Sequence, residues 1–157
     1  MHTTSRVLCL LLALAALGCG VPPAQTGTPG VTVPGREESR ADSLRGQVWQ
    51  LERFNDQTVA LDPAITAEFD RERVTGSGGC NQYSATVSYL PNGGLRLSPV
   101  SSTKKACLGG TTMSTEAAFY AALEGVVRHS FEEGKLNLFY TRGGAQSGRL
   151  VFRRAVG

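Results

Sequence analysis

The chain has 157 residues, enough for one modest domain with flanking segments. Sixteen basic and 13 acidic residues leave a net charge of +3, and the cations are scattered (Lys104-Lys105 and Arg153-Arg154 are pairs, not a stripe), which argues against a nucleic-acid partner. Nineteen glycines and a single good helical stretch point to β structure with many turns.

Residues 1–6 are polar and carry Arg6, and Val7 to Leu17 is an unbroken apolar run, VLCLLLALAAL. A bilayer-spanning helix needs about 20 apolar residues, so the run fits the core of an export signal instead. Residues 1–18 are therefore expected to be a signal peptide. The run ends Ala16-Leu17-Gly18-Cys19, with small residues at both positions that a signal peptidase tests. The same tetrapeptide resembles a bacterial lipobox, in which the Cys becomes the acylated new N-terminus. The resemblance implies lipid on Cys19 and a membrane as partner through that anchor. Gly20 carries no retention charge, which resembles lipoproteins of the outer membrane facing the periplasm. The alternative is a secreted or periplasmic protein cut at the same bond.

Residues 19–45 then read as the lipidated end and a tether. Pro22, Pro23, Pro29 and Pro34 fall here, and the apolar residues follow no period, so the segment lacks a face to bury. A chain of that length reaches roughly 30 Å. From residue 46 the pattern changes, and 46–157 is expected to form the folded domain. Trp49 and Leu51 alternate with polar residues. So do Ile65, Ala67 and Phe69, and then Tyr83, Ala85, Val87 and Tyr89, each set marking a half-buried strand. Asn92-Gly93 supplies a hairpin turn, and Leu95 and Leu97 continue on its partner. A helix follows, with Thr112 or Ser114 as its cap, Glu116 in its first turn, and Phe119, Leu123, Val126 and Val127 on one face. Phe131 lies on a following strand. Leu136, Leu138 and Tyr140 form the next, the Gly143-Gly144 loop reverses the chain, and Leu150 and Phe152 face inward on the last. The expected class is α+β: a curved antiparallel sheet or small barrel with one packed helix.

Two cysteines remain inside the domain, Cys80 and Cys107. In an exported protein such a pair is most often a disulfide. Cys80 ends a glycine-rich run, Gly76-Ser77-Gly78-Gly79-Cys80-Asn81. A phosphate cradle would need Gly-Lys-Ser/Thr and a helix next, and strand residues follow instead. The run reads as a structural turn in which Gly76, Gly78 and Gly79 take angles or close approaches closed to other residues, and Asn81 satisfies nearby main-chain groups.

These residues carry a resemblance. Trp49-x-Leu51, the Gly76-to-Ser84 block, Ser102-Thr103-Lys104-Lys105-Ala106-Cys107, the helix pattern Met113-x-x-Glu116-x-x-Phe119-x-x-x-Leu123, and the closing Leu136-x-Leu138 and Leu150-Val151-Phe152 are similar, in order, to the META/HslJ family. Ala85 stands where Gly is usual in that family and Lys105 where Met is usual. The resemblance implies a bacterial envelope protein associated with heat and antibiotic stress. It brings no catalytic residue and no cofactor.

No Gly-x-Ser-x-Gly elbow, HExxH or DxDxDG motif occurs, and His129, beside Phe131, reads as a structural histidine. The expected function is a non-catalytic, stress-associated module that binds an envelope protein or a ligand. One alternative is an inhibitor or sensor of an envelope enzyme that acts through the basic, glycine-rich segment 104–113. A soft-metal protein using Cys80, Cys107, Met113 and His129 is the other.

Overall fold

Inward-facing apolar residues recur with period two along strand after strand, and such strands bury their faces most completely by closing on themselves. The computed structural model, which describes residues 42–107 and 110–155, has that closure. In chain order the elements are β1 (Val48–Phe54), β2 (Gln57–Thr58), β3 (Thr66–Phe69), β4 (Arg73–Ser77), β5 (Gln82–Leu90), β6 (Gly94–Leu97), β7 (Ser101–Ser102), α1 (Gly110–Glu124), β8 (Val126–Glu132), β9 (Lys135–Arg142) and β10 (Gln146–Arg154). Eight of the strands pair as β1-β3-β4-β5-β6-β8-β9-β10, and β10 pairs back to β1. The result is an eight-stranded antiparallel barrel with one main helix. β2 folds back on the end of β1, and β7 pairs antiparallel with the start of β5. The choice left open between an open sheet and a barrel falls to the barrel, and the mixture is mostly β.

The barrel is filled, not hollow. Trp49, Ile65, Phe69, Val74, Leu95, Leu136, Leu138, Leu150 and Phe152 are all essentially inaccessible. Helix α1 adds Phe119, Ala122 and Leu123 to the same core. The Phe119 ring lies 5.5 Å from Tyr83 on β5 and 6.4 Å from Phe152 on β10. Those strands are opposite one another in the ring. The helix therefore inserts Phe119 between facing walls, and burying Phe119 and Leu123 contributes about 2–3 kcal/mol each.

Three boundaries differ from the sequence reading. Residues 42–45, assigned above to the tether, pack on the barrel. Leu44 is wholly buried, its carbonyl accepts the indole N–H of Trp49 at 3.0 Å, and Arg45 bridges to Phe69. A buried indole needs an acceptor, and the main chain just before the barrel provides it. The tether assignment for residues 19–41, and Cys19 with it, lies outside the described residues, as does the signal segment.

Helix α1 begins at Gly110, earlier than a cap at Thr112 or Ser114 requires, so Glu116 sits in the second turn and not the first. It ends at Glu124, because Gly125 passes close to the Thr141 carbonyl, where a Cβ would have no room. Val126 and Val127 thus belong to β8. A register shift between Val126 and Arg128 leaves Val126 inside and turns Val127 outward, half exposed.

If Leu44 is part of the domain, Leu44→Ala should lower the unfolding free energy by about 2–4 kcal/mol. Urea denaturation followed by Trp49 fluorescence measures this. A loss near zero returns residues 42–45 to the tether.

A disulfide-clamped turn and the outer wall as candidate functional sites

The glycine run joins β4 to β5. Gly76 lies in β4, where a Cβ would collide with the main-chain carbonyl of Thr66. Gly79 alone of the three has a left-handed conformation, φ +102°. Gly78 closes the turn through its N–H to the Asn81 carbonyl, 2.7 Å. A side chain at Gly78 would meet the Tyr120 hydroxyl and lie 2.6 Å from Glu116 Oε1. The run is thus required mainly for close approach, and only at Gly79 for backbone angles.

What approaches so closely is a carboxylate. Glu116, 6 % exposed, projects from α1 into the turn. Its Oε1 accepts the Asn81 main-chain N–H at 2.7 Å, the Cys80 N–H at 3.3 Å and the Tyr120 hydroxyl at 3.0 Å. Its Oε2 accepts the Asn81 side-chain amide at 2.8 Å. Burial opposes ionisation of Glu116, but these hydrogen bonds outweigh it and hold the carboxyl below its ordinary value. The neighbouring Tyr120 hydroxyl is pushed up, first by burial and then by the carboxylate it faces.

Asn81 passes the network on. Its Oδ1 accepts the Thr103 hydroxyl at 2.9 Å and the Lys105 N–H at 2.7 Å. Thr103 also exchanges hydrogen bonds with Gln82 through its hydroxyl and its N–H. The Cys80–Cys107 disulfide closes the same arrangement, with Cα atoms 6.1 Å apart and a sequence separation of 27. Three of the singled-out residues, Gly78, Cys80 and Asn81, therefore meet around one carboxylate, and Cys107 is tied to them through the bridge. Glu116 and Tyr120 complete the cluster, and the sequence reading gave neither that place. Their i, i+4 spacing, which puts them on one helix face, was the available signal.

Chemically, the cluster is saturated. A carboxylate that already accepts four hydrogen bonds, and whose proton affinity is lowered, is a poor base and a good brace. The soft-metal alternative loses two of its four ligands, because the sulfurs of Cys80 and Cys107 are bonded to each other. Met113 is exposed on α1, whereas His129 is buried on β8 with Phe131 5.9 Å away. Lys104 and Lys105 are exposed between the anchor points Thr103 and Cys107.

The brace gives a clear expectation at Gly78. Gly78→Ala should destabilise the domain by about 2–3 kcal/mol. Adding Tyr120→Phe, which removes one of the colliding atoms, should restore part of that loss. Thermal unfolding of the three variants tests both statements, and strict additivity would contradict the assigned contact.

Beyond the turn, the described cavities are open to the surface. Two flank the 57–61 segment, with volumes of about 410 and 430 Å³. The third, about 590 Å³, lies on the outer wall and is lined by residues of β1, β8, β9 and β10 with the β8–β9 turn.

The fold has known counterparts. The family model described as META domain matches residues 42–156. An NMR structure of a protein from Burkholderia xenovorans aligns with a TM-score of 0.58 at 21% identity, covering 74% of this chain and 87% of that one. Another NMR structure aligns with a TM-score of 0.58 at 19% identity, covering 72% and 92%. At such identities the likeness is one of fold. No curated protein matches the chain at a significant level.

Proposed function

The chain belongs to the META-domain family, and from that premise we propose that it is a non-catalytic binding module, exported and held at a membrane by lipid on Cys19. The observation that carries the reading is the Cys80–Cys107 disulfide. Such bridges persist where thiols are not kept reduced, which is outside the cytoplasm. The apolar run at Val7–Leu17 and the small residues before Cys19 supply the route out. The saturated polar cluster leaves Glu116 and Asn81 bracing the fold, so contact with partners falls to the outer surface. In a Gram-negative cell the reading places the domain at the outer membrane, facing the periplasm, in stress-associated binding of a protein or ligand.

Mass spectrometry of the mature protein, after growth with an alkynyl fatty acid, tests this. The expected species begins at Cys19, carries label and contains an oxidised Cys80–Cys107 pair, and Cys19→Ser loses the label. A chain that keeps residues 1–18 and has reduced thiols refutes export.

A second reading has its own observation. The basic segment that starts at Lys104 is held between Thr103 and the disulfide, and a pre-ordered loop loses less entropy on entering an enzyme cleft. Inhibition of an envelope hydrolase that Lys104→Glu/Lys105→Glu abolishes would favour it.

A further inference from the structure

Asn137 lies between Leu136 and Leu138 on β9, and Val151 between Leu150 and Phe152 on β10. Those apolar neighbours point into the core, so Asn137 and Val151 point outward. Outward residues of a barrel are normally wet, yet Asn137 is 2% exposed and Val151 6%, and neither belongs to the core cluster. They pair across β9 and β10 and line the outer-wall groove of about 590 Å³. Among the described residues the Asn137 side chain has no hydrogen-bond partner, so its amide is left to whatever fills the groove.

The charges around it are unevenly committed. Lys135 pairs with Glu52 at 2.8 Å, and Arg53 donates to the Asp56 carbonyl at 3.1 Å. Arg149, half-buried in the same groove, has no ion-pair partner among the described residues. Its main chain is pinned, because its N–H donates to Asn55 Oδ1 at 2.9 Å. Glu132 and Glu133 line the same groove.

We propose that this groove binds a short zwitterionic peptide, with the terminal carboxylate on Arg149 and a peptide group on Asn137. A guanidinium offers a fork that matches a carboxylate, and a carboxamide both donates and accepts, as a peptide group requires. The carboxylates of Glu52, Glu132 and Glu133 disfavour a polyanion such as a phosphate ester, and they suit a ligand that also carries an ammonium group. The volume falls within the roughly 300–1,000 Å³ of small-molecule sites, which is more than a lone anion needs. The proposal rests on the binding role above only in taking the body to be a binder. Acylation of Cys19 and peptide binding are read separately, so either can fail without the other.

The test is a titration of the ¹⁵N-labelled exported chain carrying Cys19→Ser, read at the Asn137 side-chain NH₂ resonances. Ala-Ala-Ala with free termini should shift them saturably. Its C-terminal amide should bind about tenfold or more weakly, as should the free peptide to Arg149→Met. If Arg149→Met fails to fold, the comparison of free and amidated peptide on the unaltered groove decides alone. No saturable shift at millimolar peptide, or equal affinity for the free and amidated forms, overturns the proposal. Ala-Asp-Ala amide binding as well as free Ala-Ala-Ala overturns the terminal assignment, because a side-chain carboxylate would then suffice.

Discussion

Glu116→Gln should lower the unfolding free energy by about 2–4 kcal/mol, although the two side chains have nearly the same shape. The charge is what the turn uses. Oε1 takes the N–H groups of Cys80 and Asn81 with the Tyr120 hydroxyl, and Oε2 takes the Asn81 amide. A Gln must place its own NH₂ at one of these positions, where only donors are waiting. Rotating the Asn81 amide does not help, because its Oδ1 already accepts from Thr103 and Lys105 N–H. One buried donor is therefore left facing another, which is the expensive way to lose a hydrogen bond. The same network sets the acid limit. The Glu116 carboxyl is held below its ordinary 4.5, so its contribution is complete above that pH and disappears as the pH falls through the lower folded value. Wild-type stability should decline below about pH 4.5 more steeply than that of Glu116→Gln, which has no proton to take up there. Urea midpoints measured from neutral pH downward give both results. Parallel curves for the two proteins would mean that the turn does not favour the Glu116 carboxylate over its protonated form.

Much of the barrel was legible because its strands alternate. Ile65-Ala67-Phe69, Tyr83-Ala85-Val87 and Leu136-Leu138-Tyr140 each present a period-two stripe, and each stripe is the buried face. Asn92-Gly93 and Gly143-Gly144 announced their turns by tolerating positive φ, which they adopt. Closure was not legible, since it depends on β10 meeting β1 across the whole chain, and no local pattern encodes which strand ends pair. β4 escaped notice because Arg73, Thr75 and Ser77 surround a single apolar residue, Val74. Val126 and Val127 continued the helical period only by coincidence. The geometry at Gly125 and a register shift in β8 overrode it. The turn residues were identifiable by type, but the carboxylate they serve comes from 35 residues further on, and pattern reading within a window does not span that distance. Asn137 was invisible for a different reason: an asparagine between two leucines on a strand is what a wet outer face looks like, and only its burial distinguishes it.

Removing the disulfide is the second large effect. Cys80→Ser/Cys107→Ser should lose about 3.5 kcal/mol, the value chain entropy gives for a loop of this size. That is a large part of the roughly 5–15 kcal/mol that holds a domain of this kind. The native contacts give a reason why the fold should survive. Thr103 and Lys105 remain tied to Asn81, and Thr103 to Gln82, so the segment keeps its place without the bridge. The loss should therefore appear mainly as a lower urea midpoint with a native-like folded spectrum, and dithiothreitol should bring the wild type to the same midpoint. The bridge and Glu116 also hold the same turn from two sides. Combining Glu116→Gln with the double serine variant should depart from additivity by about 0.5–1 kcal/mol, because the Asn81 contacts that each change weakens are shared. Strict additivity would separate the bridge from the carboxylate network, and a loss below about 1 kcal/mol on removing the cysteines would mean that the bridge constrains the unfolded chain little.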